Sequence, residues 1–173
     1  MSVHDYLPGN ERSARRLLGR RLRAVLRLHD HELEEEPRTE YGVVMLLGGA
    51  GEEWLIDMEE GRGNLIFIAD PARAMSESPW YSGFSRRTPI ASAAPGHPLR
   101  SLVTEPITGV EAIGREPEDG GAPDHFAMCG LRLTTSGGTQ TCFGGYLRGP
   151  IATSELAFLT PSEVAPGLRF TAL

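Results

Sequence analysis

The chain has 173 residues, of which 17 are basic and 23 acidic, and its formal net charge is −6 at pH 7. This length predicts one medium domain or two small ones. The acidic balance disfavours a general nucleic-acid binder, because the domain of such a protein is usually basic. Gly and Pro contribute 21 and 13 residues, and such frequent interruption favours many short strands over long helices.

The N-terminal segment predicts one short helix. Asn10 is a suitable N-cap, Leu17 and Leu18 supply an apolar face, and Gly19 can end the helix. The segment has no apolar signal core, and the longest apolar runs of the chain fall far below the roughly 20 residues of a membrane span. We therefore expect a cytoplasmic protein that makes no membrane contact.

From Leu22 onward the apolar residues alternate with polar ones, which predicts a half-buried strand over residues 22–28. Three further strands are predicted at residues 41–47, 53–58 and 65–69, with the glycine turn 48–51 between the first two. The last of these strands has apolar residues on both faces, so we expect it to be central in its sheet.

The second half of the chain resembles the first at an offset of 88 residues. Residues 42–45 then fall on 130–133, and Gly49 falls on Gly137. Identical positions are few, so the argument depends on the shared order of strand, polar loop, strand, glycine turn and two further strands. The alternative interpretation is that any two β meanders can be aligned this well.

We predict a mainly β, single domain over residues 1–173, built of two pseudo-repeated four-strand antiparallel units after the short helix. The pseudo-repeats cover 20–71 and 107–161, and a connector, 72–106, joins them. The two units are expected to pack as a sandwich or as a partly closed barrel. In the connector, Trp80 and Tyr81 either cover an open end of the sheets or anchor a partner.

Two cysteines lie beside a predicted hairpin in the second half. If the turn is centred on residues 137–138, Cys142 pairs across from Leu133 and Cys129 from Tyr146. The two side chains would then be too far apart for a disulfide. We interpret both as reduced core residues.

Charge is distributed unevenly along the sequence. Residues 30–60 contain 11 acidic residues and one Arg, whereas residues 12–27 contain seven Arg and no acid. Either the two regions neutralise each other, or the acidic region captures a basic protein partner, because complementary charge raises association rates and excludes wrong partners. The candidate partner-binding residues are Asp30, Glu32, Glu34, Glu35 and Glu36, together with Trp80 and Tyr81.

A metal site is the alternative. His29 and His31 point the same way on an extended segment, so both could reach one divalent ion. With Glu35 and Gly42 they form the run H-x-H-x3-E-x6-G, which resembles the first motif of the cupin family. This resemblance implies a metal or small-ligand site at His29, His31 and Glu35, with His97 or His125 as a third imidazole. The second cupin motif has no counterpart in the chain.

Catalytic templates are otherwise missing from the sequence, which contains no G-x-S-x-G elbow, Walker A motif or H-E-x-x-H helix. The sequence therefore favours a protein without enzymatic activity and without a cofactor. Duplicated hairpins such as GLRLTTSGGTQTCFGG, in a small acidic chain, resemble the β-rich immunity proteins with which bacteria neutralise toxins. This resemblance implies a stoichiometric inhibitor of a basic, toxin-like protein. A self-associating scaffold is the third possibility.

Overall fold

The computed structural model describes residues 3–29, 43–49, 51–59, 65–69, 86–89, 98–115, 128–148 and 156–173. These residues form two α-helices, α1 (Val3–Arg15) and α2 (Pro98–Thr104), one 3-10 helix (Pro161–Glu163) and ten strands. In these ranges no helix has the length and apolar character that crossing a membrane requires. The strands, in chain order, are β1 (Ala24–His29), β2 (Val43–Leu47), β3 (Glu53–Glu59), β4 (Leu65–Ala69), β5 (Arg86–Pro89), β6 (Ile107–Arg115), β7 (Gly130–Thr135), β8 (Gln140–Gly144), β9 (Ala157–Leu159) and β10 (Leu168–Ala172).

The strands form two antiparallel sheets, so the prediction of a mainly β protein is confirmed. The first sheet has the order β4-β3-β2-β1-β5, and the second has the order β10-β6-β7-β8-β9. Each sheet thus has five strands, where the sequence predicted four. The additional strands are β5, which lies inside the predicted connector 72–106, and β10, which follows the predicted second unit. The predicted connector also contains α2.

The two sheets follow the same plan. Adding five to each strand number of the first sheet gives β9-β8-β7-β6-β10. This is the order of the second sheet read from its other edge. A helix precedes each sheet in the chain, and each helix contacts both sheets. Helix α1 contacts β4 and β6, whereas α2 contacts β8, β9 and β1. Of these, β9 and β1 correspond in place to β4 and β6.

One apolar core joins the helices to both sheets. Leu46, Trp54 and Ile56 enter it from the first sheet, and Leu133 and Phe143 from the second, and all five side chains are buried. Removal of such apolar surface from water is the main free energy that favours folding. The core therefore fixes the sheets and helices against one another.

The N-terminal helix differs from its prediction at both ends. It begins at Val3, so Asn10 is a buried residue inside the helix and the prediction that it is the N-cap was wrong. The last helical residue is Arg15, and a turn follows up to Gly19, whose φ of 76° favours glycine. The Gly19 amide then donates a 2.8 Å hydrogen bond to the carbonyl of Ile107, which links the start of the first sheet to the second.

Strand β4 is an edge strand, so the prediction that it is central was wrong. Apolar residues on both faces suggest burial by neighbouring strands, but a helix can supply the same cover. Helix α1 contacts β4.

The hairpin of the second sheet also differs from its predicted register. Cys142 pairs with Arg132, and Leu133 pairs with Thr141, one residue away from the prediction. Both cysteines are buried free thiols. They lie in a small apolar cluster with Ile113, Leu147 and Leu159.

Candidate functional site

The residues predicted to bind a partner lie outside the described part of the chain. They are Asp30, Glu32, Glu34, Glu35, Glu36, Trp80 and Tyr81. The strands on either side of the acidic residues are described. β1 and β2 pair as far as Leu28 and Val43. The acidic run therefore belongs to the connection between two neighbouring strand ends. Trp80 and Tyr81 belong to the connection between β4 and β5, the two edges of the first sheet.

Of the residues predicted to bind metal, only the backbone of His29 is described. It is the last residue of β1 and pairs with Arg86 of β5. His31, Glu35, His97 and His125 lie outside the described residues. Within the described ranges, no group of three or more His, Cys, Asp or Glu side chains is placed to hold a metal ion.

The described residues carry a basic surface that extends from α1 to the start of β1. We use this term for six exposed arginines, Arg12, Arg15, Arg16, Arg20, Arg21 and Arg23. The sequence contained the signal for this surface, since these residues belong to the acid-free run of arginines. One interpretation of that run was that it neutralises the acidic region.

Two arginines of the basic surface form ion pairs with acids outside residues 30–36. Arg15 lies 3.4 Å from Glu11, and Arg20 lies 3.0 Å from Glu52. As far as the chain is described, Arg12, Arg21 and Arg23 form no ion pair. These three arginines are exposed.

Arg16 connects the basic surface to the core. Its guanidinium lies 5.8 Å from the centre of the Trp54 ring, a distance at which a cation is attracted to an aromatic face. The Trp54 indole is fully buried and donates a 3.1 Å hydrogen bond to the Ser13 carbonyl at the end of α1. This contact holds the end of the helix, and with it the arginines, against the first sheet.

An open groove of about 450 Å³ lies at one end of the basic surface. Gly19, Arg20 and Arg21 line it from the segment between α1 and β1, and Gly49 and Glu52 line it from the turn between β2 and β3. Among these described residues, two arginines and one carboxylate carry a net positive charge, which suits an anionic group. Sequence analysis identified none of these residues as a site.

In the second half, the turn between β7 and β8 binds the Glu105 carboxylate. The Thr135 hydroxyl and the Gly137 amide donate hydrogen bonds of 2.6 and 2.8 Å to Glu105 Oε2. The hydrogen bond from Thr135, followed by that from Gly137, lowers the pKa of Glu105 below its ordinary value. A Cβ atom at Gly137 would lie 2.6 Å from Glu105 Oε2, so glycine permits this contact.

The buried thiols are poorly suited to nucleophilic chemistry. Burial raises the pKa of Cys129 to about 11, against the opposing influence of the Arg115 guanidinium. Burial likewise raises the pKa of Cys142 to about 11. Since the thiolate is the reactive form, neither residue is a nucleophile near neutral pH.

No known family model matches this chain, and no match was found among curated proteins or solved structures.

Proposed function

We propose that the protein is a non-catalytic binding module that captures a basic protein partner through an acidic surface, in the manner of an immunity-type inhibitor. The acidic residues are Asp30, Glu32, Glu34, Glu35 and Glu36, with Trp80 and Tyr81 as apolar anchors. A cytoplasmic location is part of the proposal, because buried free thiols suit a reducing compartment.

One observation carries the proposal: two of the arginines expected to neutralise the acidic residues pair with acids that lie outside the run 30–36. Arg15 pairs with Glu11, and Arg20 pairs with Glu52, which belongs to the acidic region 30–60 but lies at the turn between β2 and β3. Residues 30–36 contain five acids and no basic residue other than His31. An excess of one charge on a connection held by two paired strands raises the rate at which an oppositely charged protein associates.

We also propose that the chain arose by duplication of a unit made of one helix and five strands. The equal strand orders support this, and so do the turns 48–52 and 135–139. Each turn is closed by a hydrogen bond from its first amide to its last carbonyl, at 2.8 and 2.9 Å. The fourth residue, Gly51 or Gly138, has a positive φ in both. This equivalence is shifted by one residue from the alignment of Gly49 with Gly137. The two units would form the two layers of a pseudo-symmetric sandwich.

Affinity capture from the native cell lysate at low and high salt tests the acidic surface. The tagged wild-type chain should retain one stoichiometric basic protein, and high salt should weaken the interaction. Reversal of Glu34, Glu35 and Glu36 to Arg should abolish it. The matched control reverses three acids elsewhere, Glu116, Glu118 and Asp119, and should keep the partner.

A double variant, His29→Ala and His31→Ala, separates this proposal from the metal alternative. A binding module of the proposed kind retains its partner in this variant. The absence of a partner at both salt concentrations would overturn the proposal, as would a partner that the glutamate reversals leave bound. Metal that copurifies with the wild-type chain and is lost in the histidine variant would favour the cupin-like alternative.

A further inference from the structure

The groove beside Arg21 corresponds to a place that is filled in the second half of the chain. There, the segment before β6 lies against the turn 135–139. The Ser136 amide donates a 2.9 Å hydrogen bond to the Pro106 carbonyl, and the Gly137 amide donates to the Glu105 carboxylate. Glu105 and Pro106 thus accept hydrogen bonds from the amides of this turn.

The corresponding segment of the first half takes another path. The Gly19 amide donates to the Ile107 carbonyl, and the Ile107 amide donates to the Arg20 carbonyl, both at 2.8 Å. The segment before β1 is therefore bonded to the other sheet, and the space beside the turn 48–52 is the groove. Gly49 occupies the position of Ser136, and among the described residues its amide has no hydrogen-bond acceptor.

Two arginines, Arg20 and Arg21, line the groove. Among the described residues, the carboxylate that lines the groove is that of Glu52, and it pairs with Arg20. Arg21 is exposed and has no ion pair within the described ranges. A guanidinium and a backbone amide at one place are donors that a carboxylate accepts in charge-assisted hydrogen bonds.

We propose that this groove binds a carboxylate from outside the chain, with Arg21 and the Gly49 amide as donors. The Gly49 amide corresponds to the Ser136 amide, which donates to the Pro106 carbonyl beside Glu105 in the second half. The carboxylate belongs either to an acidic side chain of a partner protein or to a small free acid. The proposal is independent of the acidic surface, because it concerns another part of the molecule and a ligand of opposite charge.

Amide chemical shifts measured during titration test the proposal at constant ionic strength. The probes are N-acetyl-Glu-Pro-amide, the same peptide with Gln, acetate and inorganic phosphate. We expect saturable shifts of the Gly49 and Gly19 amides with the Glu peptide and none with the Gln peptide. Stronger binding of the peptide than of acetate identifies a protein side chain as the source, whereas equal binding identifies a small free acid.

Two arginine variants provide the matched comparison. Arg21→Ser should weaken binding of the Glu peptide about fivefold. Arg23→Ser removes an exposed arginine that does not line the groove and should leave binding unchanged. Equal effects of the two variants, shifts that do not saturate, equal binding of the Gln peptide, or phosphate binding as strong as that of the carboxylates would overturn the proposal. The amide spectrum of each variant verifies that it is folded.

Discussion

Arg132 and Glu111 form a two-pronged ion pair between β7 and β6. The Arg132 Nε and Nη2 atoms lie 2.5 and 2.7 Å from the two carboxylate oxygens. The two residues face each other in the strand register, and the guanidinium carbon lies 3.9 Å from the centre of the Phe170 ring of β10. The pair therefore joins three neighbouring strands of the second sheet.

Substitution of Glu111 by Gln should destabilise the protein by about 1–2 kcal/mol. Both side chains are only about one-fifth to one-quarter exposed, so the change leaves a partly desolvated guanidinium without its charged acceptor. Urea unfolding measures the effect. Arg148→Gln is the control, because Arg148 lies 4.0 Å from Glu163 and both side chains are well exposed. Its effect should stay within about 0.5 kcal/mol, and equal losses in the two variants would contradict this interpretation.

Glu105 should make the stability of the protein depend on pH. Its hydrogen bonds to Thr135 and Gly137 lower its pKa in the folded state. The folded state therefore releases the proton more readily than the unfolded chain, in which glutamate titrates at about pH 4.3. The resulting stabilisation is present above that pH and is lost as the pH falls through the lower pKa of the folded state.

The measurement is the melting temperature of the wild-type chain and of Glu105→Gln between pH 2 and pH 7. The wild-type chain should melt at the higher temperature at neutral pH, and the difference should shrink as the pH falls below about 4. Glu11→Gln is the control, since the Glu11 side chain is well exposed and its partner Arg15 is exposed as well. A difference between wild type and Glu105→Gln that stayed constant over the whole range would show that ionisation of Glu105 contributes nothing.

The elements that the sequence predicted well are those with a local signal. Alternation of apolar residues and paired glycines placed β3, β4 and the hairpin of β7 and β8 within one or two residues. Strands β5 and β10 carry a weaker pattern, RRTP and LRFTA. They are ordered by pairing with β1 and β6, which are distant in sequence. A tertiary contact of this kind leaves little trace in the local pattern.

The groove beside Arg21 escaped prediction for a related reason. Its residues come from two separate stretches, 19–21 and 49–52, and none of them belongs to a known motif. Its significance depends on comparison with Glu105, whose contact with Gly137 is a feature of the folded chain. The sequence did show a run of arginines without acids. The ion pairs of Arg15 with Glu11 and of Arg20 with Glu52 are known only from the structure.

Gly144 should be one of the least replaceable residues of the second sheet. A Cβ atom there would lie 2.3 Å from the Cys129 carbonyl oxygen and 2.5 Å from the Gly130 Cα. These neighbours are backbone atoms of the opposite strand region, so they cannot move aside without disturbing the pairing of Gly130 with Gly144. We expect Gly144→Ala to cost about 3 kcal/mol or more in urea unfolding.

Gly49→Ala is the matched control for this prediction. A Cβ atom at Gly49 has no neighbouring heavy atom within 4 Å, and the residue is exposed. The change should therefore alter the free energy of unfolding by about 0.5 kcal/mol at most. Similar effects at the two glycines would mean that the close approach at Gly144 can be relieved by a small backbone shift.

The two thiols should be protected from modification in the folded protein. Burial raises the pKa of both Cys129 and Cys142 to about 11, so at pH 8 almost all of each thiol is protonated and unreactive. A thiol-reactive chromogenic disulfide at pH 8 should modify neither cysteine in native buffer on a timescale of minutes, whereas in urea it should modify two per chain. Cys129→Ser and Cys142→Ser identify any site that does react. Fast reaction of one thiol in native buffer would place that cysteine at the surface and contradict its burial in the second sheet.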